Sequence, residues 1–159
     1  KVAGTMCLPK DLGEKNLLFI ATGTGIAPFV SILCDRTDEV YDGIRHIGVI
    51  QGARHSSELG FKGYFEDDHK AFPETRHYYP VVSRPYPGRQ WGGFVGRVGN
   101  VLDSGVVEKD FGAEITPENT LVFLCGNPNM VDDMVARFEA KGFTRDTPAH
   151  QGNLFCDKH

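Results

Sequence analysis

The sequence predicts an open, doubly wound α/β domain, with a parallel sheet of about five strands and helices on both faces. Two observations carry this reading. Short, fully apolar runs alternate with helix-like segments along the chain, and glycine-containing turns sit where apolar run gives way to helix. The length of 159 residues (17.6 kDa) suits one packed core. Hydrophobic residues at 40% and charged residues at 24% exclude a disordered or fibrous chain.

Asn16 to Ala21 is a compact apolar run that reads as a buried strand, followed by Thr22-Gly23 and a helix over Pro28 to Leu33. His46 to Ile50 is a second buried strand. Phe61 to Phe72 reads as an amphipathic helix with Phe61, Tyr64, Phe65, His69 and Phe72 on one side. Tyr78 to Val82 is a third strand, and Arg97 to Leu102 a short helix. Gly105 to Thr120 reads as loop with a helical turn. Leu121 to Cys125 is a fourth strand, followed by a helix over Pro128 to Ala140 with Asn127 as N-cap and Gly142 as its stop. Asn153 to Cys156 is a closing strand. Lys1 to Leu8 breaks the rhythm: the even spacing of Val2, Met6 and Leu8 reads as a strand from a preceding domain. The expected division is therefore a stub over 1–10 and one domain over 11–159.

Charge and motif counts narrow the partners. A net charge of −4 and a pI near 5.8 speak against nucleic acid, whose binding rests on phosphate neutralisation. No apolar run approaches a membrane span. The four cysteines lie far apart with no CxxC pair, which fits a reduced, cytoplasmic chain and leaves one bridge open. The scattered histidines show no ligand spacing, so no metal site is expected.

Three turns are candidates for chemistry. Thr22-Gly23-Thr24-Gly25 leads from the first strand into a helix, whose N-terminal N–H groups and dipole suit a pyrophosphate. The same spacing serves a plain connecting turn equally well, since it is neither a full GxGxxG nor a Walker loop. Cys125-Gly126-Asn127 through Met130 forms a second strand-to-helix turn. Read alone, Cys125 is a small buried hydrophobe. Finally, Arg54, Ser83 and Arg84 follow the second and third strands, with Arg97 a little further on. Guanidinium forks suit phosphate oxygens, and a 2′-phosphate on an adenosine ribose demands positive charge.

Taken in order, Thr22-Gly-Thr-Gly-Ile-Ala-Pro-Phe29, Val82-Ser-Arg84, Gly96-Arg97 and Cys125-Gly-Asn-Pro-Asn-Met130 resemble the motifs of ferredoxin–NADP reductases. The similarity, closest to the bacterial ferredoxin/flavodoxin type, covers residues from about 11 to the C-terminus. The resemblance implies the NADP(H)-binding domain of an FAD-dependent ferredoxin (or flavodoxin)–NADP oxidoreductase. Thr22, Gly23, Thr24 and Gly25 then form the pyrophosphate turn. Ser83, Arg84 and Arg97 hold the 2′-phosphate with help from Arg54. Cys125 lies beside the nicotinamide and orients hydride transfer, while Gly126, Asn127 and Met130 shape that half of the crevice. The implied partners are ferredoxin or flavodoxin and the protein's own FAD domain. The family's R-x-Y-S flavin motif is absent from these residues; where such chains often end in an aromatic, either His159 takes that place or the aromatic lies beyond the residues given. Other flavin reductases of the superfamily, such as oxygenase reductase components, flavohaemoglobins and diflavin reductases, are the alternative reading. A nucleotide-binding module without a redox role is the other.

Overall fold

The computed structural model describes residues 8–9, 12–34 and 43–158. The strand expected over Lys1 to Leu8 falls, apart from Leu8, outside the described residues, as does His159. Alternation along Asn16–Thr22 explains why the first strand, β1, is buried on both sides. Leu18 and Ile20 point to one face of the sheet, and Leu17, Phe19 and Ala21 to the other. A 3-10 turn over Gly23–Gly25 leads directly into helix α1 (Ile26–Cys34). Then come β2 (Ile47–Ala53), a 3-10 turn (Ser56–Glu58), α2 (Lys62–Ala71), β3 (Arg76–Val82) and β4 (Phe94–Val95). The chain closes with α3 (Val98–Asp103), α4 (Val106–Phe111), β5 (Thr120–Gly126), α5 (Pro128–Glu139) and β6 (Leu154–Lys158).

The six strands form one parallel sheet in the order β4-β3-β2-β1-β5-β6. The chain thus winds outward from β1 in one direction and then restarts at β5 on its other side. That reversal opens a crevice beyond the carboxyl ends of β1 and β5, where ligands of such sheets bind. Each face has its own apolar layer. Helices α1 and α2 cover Leu17, Phe19, Phe123 and Phe155, and helices α3, α4 and α5 cover Leu18, Ile20, Val122 and Leu124. On the α1 side, register places Phe19, Phe123 and Phe155 in a row across three strands. Their rings stack at 4.7 Å centroid separations, and Phe29 of α1 meets Phe19 edge-on at 4.9 Å.

The doubly wound fold is as expected, with three differences. The sheet has a sixth strand, because Phe94 and Val95 extend the edge beside Val81 and Val82. Two residues in a glycine-rich segment carry no periodicity to read. Helix α2 buries only Phe65. Phe61 precedes it with a left-handed φ of 61°, and Phe72 caps its end, so both lie about half exposed and not on a shared apolar face. The segment expected as loop with a helical turn holds the six-residue helix α4, whose Val107 and Phe111 are buried. The Phe111 ring packs where a Gly48 side chain would stand, 2.9 Å from that point, so a helix of only six residues is stabilised by tertiary contact rather than by propensity. The expected cap is present: the Asn127 side chain accepts from the Asn129 N–H at 2.8 Å.

At the amino end of the sheet, His46 and His77 hydrogen bond through their rings at 3.0 Å beside Phe111. Burial lowers the pKa of both below 6.5, against the raising effect of Asp110. Because the folded values lie below the unfolded one, the stabilisation is complete above about pH 6.5 and is lost as the pH falls through the folded values. Thermal midpoints measured from pH 7.5 to 5.0 should therefore drop on the acid side. His77→Gln, which does not titrate, should flatten that slope.

Candidate functional site

The crevice at the strand-order reversal is a cleft of about 780 Å³, within the range of small-molecule sites. Its two inner walls are the turns that leave β1 and β5, and these turns interlock. A side chain at Gly25 would stand 2.3 Å from the Cys125 carbonyl oxygen, and one at Gly126 would stand 2.5 Å from both the carbonyl and hydroxyl oxygens of Thr22. Gly126 also has a φ of 137°, a conformation side chains rarely adopt. The Asn127 N–H donates to Thr22 Oγ1 at 3.0 Å, which fastens the second turn to the first.

Thr22, Gly23 and Thr24 line the cleft. Thr22 is extended, and no side chain caps the turn that follows it. The first N–H groups of this helical start are therefore available to an anion. Gly25 does not line the cleft; it is buried against β5. Its requirement for glycine within this turn is one of packing against the Cys125–Gly126 backbone. Gly126, Asn127 and Met130 line the same end, joined by Asn129, Asp133 and Met134 of α5.

The far end is built by three loops. Arg54 follows β2, Ser83 and Arg84 follow β3, and Arg97 is the N-cap of α3, with its backbone N–H bound to Asn100 Oδ1 at 2.8 Å. All three guanidinium groups are exposed, and none is in an ion pair among the described residues. In a chain of net charge −4, three arginines outside any ion pair among the described residues bring positive charge to this end of the cleft. Glu58 and Asp133 also border the cleft, and Asp103 is paired with Arg137.

Cys125 stands apart from this grouping. In β5 it shares with Leu121 and Phe123 the face that α1 covers, and it is fully buried in that core layer. It does not line the cleft. Burial, and secondarily the Asp157 carboxylate, push its thiol up to about 12, so it stays protonated at neutral pH. The position beside the nicotinamide that the resemblance implies would be that of a buried thiol under the strand end.

Reasoning from sequence named Arg54, Ser83, Arg84 and Arg97 but missed Asn129, Asp133 and Met134. Their signal was present as helical spacing from Asn129-Met130 to Asp133-Met134, one turn on. Glu58, Gly99 and Asn100 reach the cleft by loop and cap geometry, which leaves no periodic trace. Among the described residues no group of three or more His, Cys, Asp or Glu is placed to hold a metal ion, and no helix is long and apolar enough to cross a membrane.

Residues 19–136 match the family described as the oxidoreductase NAD-binding domain. The chain belongs to this family. It is 31% identical over 141 residues to the ferredoxin–NADP reductase of Azotobacter vinelandii, covering 84% of this chain and 52% of that protein. It is 30% identical over 133 residues to the flavodoxin/ferredoxin–NADP reductase of Escherichia coli K12, with the same coverage. The chain thus spans about half the length of the curated relatives it matches. Among solved structures, it resembles a ferredoxin NADP⁺ reductase from Neisseria gonorrhoeae with bound FAD and NADP. The TM-score is 0.72 at 27% identity, over 92% of this chain and 57% of that one.

The burial of Cys125 has a direct check. Under native conditions a thiol reagent should label exposed Cys34 and leave Cys125 unmodified, as mapped by peptide mass spectrometry. Denaturation should expose Cys125 to the reagent. Rapid native labelling of Cys125 would overturn the packing described above.

Proposed function

We propose that the cleft binds NADP(H), as the nucleotide domain of an FAD-dependent ferredoxin (or flavodoxin)–NADP oxidoreductase acting in the cytoplasm. The observation that carries this reading is the pairing of two anion sites in one cleft. An uncapped helical start at Thr22 to Thr24 suits a pyrophosphate. Three arginines without ion-pair partners among the described residues, grouped with Ser83, suit a 2′-phosphate. The similarity to proteins named ferredoxin–NADP reductase supports the same assignment.

In this reading Gly126, Asn127 and Met130 shape the nicotinamide end, and Gly25 and buried Cys125 fix the floor beneath it. Residues 1–10 are proposed as the end of an FAD-binding domain and 11–159 as the nucleotide domain. The bound cofactor supplies a hydride, exchanged with FAD held mostly by that other domain; FAD in turn exchanges electrons with ferredoxin or flavodoxin. This chain's own residues bind the adenosine end by charge and orient the nicotinamide end.

Calorimetric titration with 2′-phospho-AMP and with AMP tests the cleft directly, since both probe the adenosine end alone. The chain should prefer the 2′-phosphorylated ligand clearly. Arg84→Ala should weaken 2′-phospho-AMP by about 1.5–3 kcal/mol, roughly 10- to 100-fold, and leave AMP nearly unchanged. An equal loss for both ligands would remove Arg84 from the 2′-phosphate site. Separately, the 159-residue chain should show no NADPH turnover on an artificial electron acceptor until an FAD domain is supplied. Turnover by the chain alone counts against the division of labour proposed here.

A further inference from the structure

We propose that His55 is a positioning residue for Arg84, and that with Tyr86 it forms a brace behind the 2′-phosphate end of the cleft; this rests on the NADP(H) reading above. Arg54 and Arg84 sit on two loops that extend past the sheet. The β2–β3 ladder continues into them, with the Ser83 N–H donating to the Ala53 carbonyl at 3.0 Å and the Arg84 N–H to the Arg54 carbonyl at 2.8 Å. The Arg84 carbonyl in turn lies 2.6 Å from His55 Nδ1. A carbonyl only accepts, so Nδ1 carries the proton and donates.

The side chains add a second tie. The His55 ring lies flat on Tyr86, with centroids 4.5 Å apart and planes 9° from parallel. The Tyr86 hydroxyl is 2.9 Å from Ser57 Oγ, on the same loop as His55. Arg89 stands over the Tyr86 ring at 5.2 Å, and its N–H reaches the Tyr86 carbonyl at 3.3 Å. Prolines on both sides of Tyr86 stiffen this loop, and Pro85 restricts the backbone of Arg84 before it.

Neither His55 nor Tyr86 lines the cleft, whereas Arg54, Glu58, Ser83 and Arg84 beside them do. They therefore act through the arginines and not on the ligand. An arginine on an exposed loop loses conformational freedom when it closes on an anion, and that loss subtracts from affinity. Fixing both loops beforehand lowers the loss at the phosphate end. The adenosine 5′ end, held by the turn after β1, does not depend on it.

Two substitutions separate the hydrogen bond from the stack. His55→Phe keeps a flat ring on Tyr86 but has no donor for the Arg84 carbonyl. His55→Asn keeps a donor close to the position of Nδ1. Calorimetry with 2′-phospho-AMP and AMP on the wild-type chain and both variants, with thermal unfolding as a check on folding, reads the effect. His55→Phe should weaken 2′-phospho-AMP about tenfold and leave AMP within about twofold, while His55→Asn stays within about threefold of wild type for both. If His55→Phe does not fold, Tyr86→Phe, which removes only the Ser57 tie, should weaken 2′-phospho-AMP selectively by about threefold. A wild-type preference that His55→Phe retains overturns the brace alone, as does an equal loss for both ligands or a His55→Asn variant as weak as His55→Phe. In the Tyr86→Phe arm, unchanged selectivity overturns it. A wild-type chain with no preference overturns the 2′-phosphate reading and the brace with it.

Discussion

The contact between the turns after β1 and β5 is the constraint on which the rest of the molecule depends. Strand order reverses between these two strands, so nothing in the sheet itself spans the gap beyond their ends. The gap stays narrow because two glycines face each other's backbone: Gly25 against the Cys125 carbonyl, Gly126 against Thr22. A single methyl at either place would push the turns apart by more than the packing tolerates. The Asn127 N–H to Thr22 Oγ1 bond then sets the direction of α5, and with it the wall formed by Asn129, Met130, Asp133 and Met134. Beneath the joint, the row of Phe19, Phe123 and Phe155 holds β1, β5 and β6 in register.

The two ends of the cleft are built on different principles. Backbone N–H groups at the start of a helix make the inner end, where close approach matters and side chains would obstruct. Side-chain charge makes the outer end, contributed by loops from three separate strand exits. Charge acts over longer distances than a backbone cradle and tolerates looser placement, so loops suffice for it. The ladder bonds that run past the ends of β2 and β3 give those loops more order than their sequence suggests.

The fold was legible because its strands are buried on both faces and read as unbroken apolar runs, from Leu17 to Ala21 and Leu121 to Cys125. Helix α5 announced itself through Asn127, Pro128 and Gly142. What stayed hidden has short-range or parity causes. β4 is two residues long, and α4 depends on Phe111 reaching over Gly48. Phe61 and Phe72 fell at helix boundaries, where a one-residue change of conformation removes a side chain from the buried face. The arginines of the site were legible as residues, yet their convergence was not, since it is a property of sheet order. Cys125, read alone as a small buried hydrophobe, lies in the same core layer as Phe123 and Phe155.

The placement of titratable groups says what kind of chemistry the cleft can perform. Among the described residues, the groups whose pKa is displaced are His46, His77, Tyr78, Tyr79, Cys125 and Cys156. None of them lines the cleft. Sites that move protons or form covalent intermediates gather such groups around the reacting atoms. Here the cleft carries arginines, glycines, asparagines and methionines, which recognise shape and charge, together with the carboxylates Glu58, Asp103 and Asp133. The hydride transfer proposed above would ask of this chain chiefly an angle and a distance held by a rigid joint. In the proposed function the domain would serve as a positioning device, with its perturbed groups placed in its core and at the opposite end of its sheet.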